Sequence, residues 1–190
     1  ANQGLSSLTA QQAKIAAGDI MNYAKLVERA VDKVRKNGCS ESEINFNTAV
    51  VAGYSNTSAP VDGSCNIFDS NGGKIPYEAP PGQAGSATEW TFTGATQIEA
   101  AGDSATGDLA VMLQGVNQQV CVAINDALNI SPAGTTPTDA TTPPYTKFTG
   151  TFADNAAIND TDASINSETT ACVFLSGASD YVFYRALLHR

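Results

Sequence analysis

The sequence has little charge, and basic residues are scarce. Only 15% of its 190 residues are charged, and 19 Asp and Glu against ten Lys and Arg give a net charge of −9. Phosphate binding needs clustered Lys or Arg, so this balance argues against nucleic acid and against an anionic membrane surface as partners. It permits cations, including calcium. The length is sufficient for one domain with a buried core.

Long apolar runs are also missing. No stretch of about 18 apolar residues occurs, so the sequence as given has no membrane span. It contains neither a signal peptide nor an initiator Met, and we expect a processed chain whose export or anchoring segment has been removed. Histidine is nearly absent too. His189, next to the last residue, is expected to be a solvated strand-end residue rather than a catalytic base.

The four cysteines, Cys39, Cys65, Cys121 and Cys172, contain no Cys-x-x-Cys pair. With a single histidine in the chain, this spacing does not suit a zinc site. The sequence therefore predicts two disulfides, with free buried thiols as the alternative. Two disulfides place the protein outside the reducing cytoplasm.

The first predicted element is a helix from about Leu8 to Lys36, ended by Asn37-Gly38. Apolar residues recur at spacings of three and four along it, which is the helical period. The first half is small and polar, and we expect it to project. The second half carries the strong apolar stripe, and we expect it to pack on the domain. We therefore divide the chain into this helix, residues 1–36, and a globular head, residues 37–190, which together form one domain.

Residues 40–85 are rich in Gly, Pro, Asn and Ser, which favour turns. Because Cys65 lies among them, a Cys39–Cys65 bridge would tie this loop to the end of the helix. Two β-prone runs follow, and residues 118–129 form a second, short helix. Turn-forming residues in "SGASD" indicate a hairpin near the end of the chain. The predicted strands are residues 88–94, residues 108–113, for which a helix is the alternative, a possible strand at 147–152, and the two arms of the hairpin.

This order predicts an α+β fold in which the long helix lies on an antiparallel sheet, because βαβ alternation is missing. Cys121 lies on the short helix and Cys172 in the hairpin, and we favour a bridge between them. The sequence alone leaves all three pairings of the four cysteines open.

The stretches "KLVERAVDKVRKNGCSESEINF", "EWTFTG", "VCVAIND" and "DYVFYRALL" resemble bacterial proteins with one hydrophobic N-terminal helix and a pilin-like head. More broadly, the order of elements over residues 8–190 resembles the soluble part of type IV pilins and type II secretion pseudopilins. The hydrophobic N-terminal segment and processing motif that define pilins are absent from this sequence. Filament assembly is therefore an expectation by analogy.

Three segments are candidate sites. "NDTDASINSE" places Asp160, Asp162 and Ser164 at alternate positions, as in calcium loops, although Ile165 stands where an EF-hand needs Gly. The resemblance to pseudopilins, some of which hold calcium near the C-terminal sheet, supports this ion, but a solvated acidic turn is the preferred interpretation. The Gly pair in residues 68–82 lacks the spacing of a phosphate-binding loop and indicates a turn. Four aromatic residues are either a ligand platform or core: Tyr54, Tyr77, Trp90 and Phe92.

The sequence thus predicts a non-enzymatic, exported pilin-like subunit of a filament or secretion apparatus. Its expected partners are other pilin-like subunits or secretion components, and its head is expected to be a monomer in isolation. Its expected location is the periplasm or cell surface, anchored in the inner membrane before assembly. No cofactor is predicted, apart from the calcium candidate. The alternative is a stand-alone extracellular binding module, calcium-dependent and carbohydrate-directed.

Overall fold

The computed structural model describes residues 8–102, 106–153 and 157–190. Two helices flank one face of a five-stranded sheet, and a short 3₁₀ helix, Glu41–Glu43, follows the first of them. In chain order the elements are α1 (Ala10–Lys36), β1 (Thr91–Thr96), β2 (Asp108–Leu113), α2 (Gln118–Ala127), β3 (Thr138–Asp139), β4 (Thr170–Leu175) and β5 (Asp180–Leu188).

Helix α1 has clear start and stop signals. The Thr9 hydroxyl accepts a hydrogen bond from the Gln12 N–H, and the Gln12 side chain accepts one from the Thr9 N–H, which forms a capping box. After Asn37, Gly38 adopts a φ of +105°, which glycine tolerates and other residues rarely adopt. The 27 residues make a rod of about 40 Å.

The first half of α1 differs from the expectation that it projects. Ala13, Ala16 and Ala17 are only 2–3% exposed, because α2 packs against this part of the helix. Their small side chains let the two helix backbones approach closely. The low apolar content of this half, which suggested a projecting rod, reflects a close helix–helix contact instead.

The sheet has the order β1-β2-β5-β4-β3. All neighbouring strands are antiparallel except β3 and β4, which are parallel. The predicted hairpin is confirmed as β4 and β5, joined by residues 176–179. The first strand begins three residues later than predicted, and β3 was not foreseen. Residues 147–152 do not form a strand, although they run beside β1.

The two faces of the sheet cover separate cores. Side chains such as Val111, Cys172 and Phe183 face the helices and belong to the larger core. Alternate side chains, such as Met112 and Tyr184, belong to the second core on the other face. In the described ranges no helix lies on that face, which is covered by irregular chain. The molecule therefore has three layers: helices, sheet and irregular chain.

Both disulfides fasten a helix to another part of the fold. Cys39, just after α1, is bonded to Cys65 in the long loop, and Cys121 of α2 is bonded to Cys172 of β4. These are the two pairings that the order of elements favoured. Two disulfides fit an extracytoplasmic protein. Among the described residues, no helix combines the length and apolarity that crossing a bilayer requires.

Candidate functional site

The four aromatic residues considered as a ligand platform belong to the core instead. Tyr54, Trp90 and Phe92 are buried, and Tyr77 is half-buried. The Tyr54 hydroxyl donates to the Trp90 carbonyl at 3.1 Å and accepts from the Phe92 N–H at 3.0 Å. Burial raises the pKa of Tyr54 far above its usual range, so the hydroxyl keeps its proton for this bridge.

These contacts also close an edge of the sheet. β1 is an outer strand, and unpaired N–H and C=O groups on such a strand invite pairing with another chain. The Tyr54 hydroxyl occupies two of these groups. Farther along β1, the Phe148 N–H donates to the Phe92 carbonyl and the Ala153 N–H donates to the Gly94 carbonyl. This edge is therefore covered over its described length, which disfavours strand addition as a mode of binding.

The calcium candidate lies on the far face of the sheet. One Asp162 carboxylate oxygen accepts the Ser164 N–H and hydroxyl at 3.0 and 2.7 Å, and the other accepts the Thr138 N–H at 3.2 Å. These bonds hold the pKa of Asp162 below its usual range. The Asp160 carboxylate accepts the Thr161 hydroxyl. In the part of the chain that the structure describes, no three His, Cys, Asp or Glu side chains are grouped as a metal site requires. The calcium site stays a prediction.

The Gly pair of residues 72 and 73 lies in a tight turn, as the sequence indicated. A Cβ atom on Gly72 would lie 2.0 Å from the Asn66 carbonyl oxygen, and one on Gly73 would lie 2.2 Å from that of Ile67. Any larger residue would therefore push the turn apart. The glycines serve the packing of the long loop, with Lys74 exposed beside them.

An open apolar groove runs between the first half of α1 and α2. Its volume is about 790 Å³, and Ala17, Gly18 and Met21 of α1 line one side, with Val122 and Ala123 of α2 on the other. Gly18 has no atom within 4 Å of the position a Cβ would take. The groove exists because small residues bring the two helices together without filling the space above them.

A second groove, of about 730 Å³, lies where α1 meets the loop before β1. Tyr23 and Trp90 form its floor with ring centroids 5.3 Å apart, and the Trp90 indole N–H donates to the Glu78 carbonyl at 3.0 Å. Lys25 and Arg29 line its α1 side. Charged side chains of both signs line this groove, whereas the groove between α1 and α2 is mainly apolar.

Lys25 and Arg29 begin a row of basic side chains that sequence analysis did not single out. Lys33 and Lys36 continue it at the same helical spacing, and with Arg29 they line a further shallow depression of about 350 Å³. We name these four residues the basic row. Spacings of four, four and three put all of them on one side of α1, and this spacing was the sequence signal that could have found them.

The chain terminus is another site that the sequence did not reveal. Asp108 is buried at the start of β2, where its carboxylate accepts the Ile98 N–H at 2.8 Å. Desolvation raises its pKa, and the nearby Arg190 guanidinium opposes the rise. That guanidinium bonds Glu41 and lies 3.9 Å from the centre of the Phe152 ring. Arg190 is therefore held by several groups, whereas His189 beside it is exposed, as expected.

The chain matches no protein-family model, no curated protein and no solved structure. Its function therefore has to be argued from the fold and the surfaces described above.

Proposed function

We propose that this protein is a non-enzymatic, exported structural subunit, pilin-like or pseudopilin-like, of a filament or secretion apparatus. The observation that carries the proposal is α1: a single helix of about 40 Å, laid along one face of an antiparallel sheet. The loop tied to the end of α1 and the disulfide at the last hairpin also support the proposal.

Two surface features support assembly through helices. The edge of β1 is already contacted by Tyr54 and residues 148–153, so pairing of another strand along β1 is disfavoured. In contrast, the outer side of α1 carries an open apolar groove in its first half and unpaired charges in its second. In this proposal, a membrane-spanning apolar helix lies upstream of α1 in the complete protein and anchors the subunit before assembly. The proposed partners are like subunits or secretion components.

The test is the complete coding sequence, followed by fractionation of the full-length protein in a bacterial host. We expect about 20 to 30 mainly apolar residues before Ala1, including a membrane span, and recovery in the inner-membrane fraction. A start codon followed by only a short cleavable signal, with the protein free in the periplasm, would overturn the proposal.

A stand-alone extracellular binding module is the second candidate. The groove where α1 meets the loop before β1 favours it, since a concave surface lined by Lys25, Arg29 and Glu78 suits a polar ligand such as a carbohydrate. Calcium dependence is tested separately. If Asp160, Asp162 and Ser164 bind the ion, adding calcium to chelated protein raises its melting temperature by mass action. If a large excess of calcium leaves the melting temperature unchanged, the binding module does not depend on calcium.

A further inference from the structure

Charge is divided unevenly between the layers of the molecule. Helix α1 carries six of the ten Lys and Arg residues of the chain but only three of its 19 acidic residues. The helix is therefore net positive by three charges, whereas the rest of the chain is net negative by 12. The overall charge of −9 is therefore the sum of a basic helix and an acidic remainder of the chain.

The positive charge is concentrated on the basic row. These four side chains lie on the side of α1 opposite the buried stripe of Val27, Val31 and Val34. Lys25, Arg29 and Lys36 are exposed and Lys33 is half-buried, and none of them forms an ion pair with another described residue. Glu28 on the same helix does not neutralise them, because it is paired with Arg185 at 2.6 Å. Asp32 lies beside Arg29, Lys33 and Lys36 and offsets one of the four positive charges, which leaves the row net positive.

Stabilisation of the helix accounts for only part of this row. Basic residues in the last turn interact favourably with the helix dipole, which explains Lys33 and Lys36. The effect fades within one turn of the helix end. Lys25 and Arg29 lie two to three turns before that end, so their position has another cause.

The complementary surface is the segment 157–169, which we name the acidic loop. Ile158 and Ile165 are buried in the second core, so the loop is fixed on the face of the sheet opposite α1. The Tyr184 hydroxyl and the Asn159 amide both donate to the Glu168 carbonyl and hold its end. Its carboxylates, Asp160, Asp162 and Glu168, form no ion pair with a described residue.

The two surfaces cannot neutralise each other within one molecule. The sheet and both cores lie between them, and packed layers about 10 Å apart put them roughly 20 Å from each other. That distance exceeds twice the Debye length of about 8 Å at physiological ionic strength.

We propose that the basic row of one molecule docks on the acidic loop of a second copy of the chain. This inference rests on the proposed function as an assembling subunit, and it identifies the two surfaces through which copies of the chain make contact. Because the surfaces differ and lie on opposite faces, the contact is heterologous. When the same contact repeats from one molecule to the next, it gives an open row of molecules rather than a closed dimer. Charge complementarity of this kind sets orientation and weakens in salt.

The test is a charge exchange between two variants of the chain, helix α1 included. One variant carries Lys25→Glu and Lys33→Glu, and the other carries Asp160→Lys and Glu168→Lys. In about 0.02 M salt, we expect sedimentation to show wild-type mass rising with concentration, and this rise is lost in about 0.5 M salt. Each variant alone is expected to remain at monomer mass, since its two faces now repel.

Mixing the variants is the decisive measurement. Each then offers the surface that the other lacks, so an equimolar mixture is expected to regain association. Continued monomer mass in the mixture would overturn the proposal, as would unchanged association of either variant alone. Because all these substitutions are at exposed or half-buried positions, we expect each variant to melt within about 3 °C of wild type.

Carbodiimide cross-linking of a mixture of ¹⁵N-labelled and unlabelled protein locates the contact. We expect amide cross-links between the lysines of the basic row, Lys25, Lys33 or Lys36, and a carboxylate of the acidic loop, each joining a labelled to an unlabelled peptide. If the row instead binds phosphatidylglycerol vesicles and the protein does not associate with itself, a lipid surface is its partner and the proposal is wrong. The contact is measured on residues 1–190 without an upstream segment. Its failure would therefore be distinct from the failure to find the proposed membrane anchor.

Discussion

The side chain of Asn125 in α2 takes the place of a neighbouring strand at Cys172 in β4. Its amide nitrogen donates to the Cys172 carbonyl at 2.7 Å, and its amide oxygen accepts the Cys172 N–H at 2.9 Å. β3 pairs only with Phe174 and Leu175, so it does not reach this part of β4. Asn125 thus completes the edge of β4 as Tyr54 completes that of β1.

We expect Asn125→Ala to lower the free energy of unfolding by about 2–4 kcal/mol, because it leaves two buried backbone groups without partners. Asn125→Asp should cost at least as much, since a carboxylate cannot donate to the Cys172 carbonyl. Urea denaturation measures both, with exposed Asn166→Asp as the control within about 0.5 kcal/mol of wild type. A cost for Asn125→Ala no larger than that of the control would contradict this role.

All four cysteines are expected to be oxidised in the isolated protein. Alkylation before and after reduction, followed by mass measurement, should show no labelled thiol before and four after. The closed segments of 26 and 51 residues correspond to about 3–4 kcal/mol each in the chain-entropy model. Labelling of the unreduced, folded protein would refute the pairing and the extracytoplasmic location drawn from it.

The packing of both halves of α1 can be tested with aspartate substitutions. Val27 and Ala16 are both buried, and an unpaired charge at either position is expected to cost at least about 3 kcal/mol. Lys14→Asp, at an exposed position in the same first half, should be nearly silent. Thermal melting compares the three. If Ala16→Asp were as mild as Lys14→Asp, the first half of the helix would project after all.

Gly18→Ala should stabilise the protein by about 0.5–1 kcal/mol. Alanine is the better helix former, and nothing lies within 4 Å of the added methyl group. Gly72→Ala is the matched contrast: it forces a Cβ onto the Asn66 carbonyl and should destabilise. Equal effects of the two, measured by urea denaturation, would show that the groove beside Gly18 is not open in solution.

Asp108 is expected to make the fold less stable as the pH rises from acid towards neutral. Desolvation raises its folded-state pKa, so the folded protein holds this proton more tightly than the unfolded chain. Its contribution is complete below the ordinary Asp pKa, about 3.9, and is lost as the pH passes the higher folded value. The melting temperature of Asp108→Asn minus that of wild type should therefore increase from about pH 3 to pH 7. If this difference in melting temperature instead fell as the pH rose, the raised pKa of Asp108 would not be its cause.

Much of the fold could be predicted from local sequence, because helix periodicity and turn residues act over short distances. The end of α1 at Asn37-Gly38 and the β4–β5 hairpin are of this kind. β3 could not be foreseen, since its two residues are a strand only by lying beside β4. The burial of Ala16 likewise depends on α2, about 100 residues later in the chain.

The surfaces were harder to predict than the fold. For Trp90 and Tyr54 the sequence favoured core packing over a ligand platform, and their burial and contacts with β1 confirm the core. The basic row was visible as a spacing on one helix. Its meaning depends on the acidic loop lying on the opposite face, and that placement comes from Ile158 and Ile165 packing beneath the sheet.

The position of β5 at the centre of the sheet governs when the molecule can fold. It is the last strand in the chain, yet it lies between β2 and β4 and pairs with both. Until it is available, β1–β2 and β3–β4 are separate pairs without a shared centre. Contacts between elements distant in the chain form slowly. A chain emerging from a ribosome or a translocation pore therefore stays without its complete sheet until Asp180–Leu188 is free, and a chain shortened before Asp180 lacks the strand that joins β2 to β4.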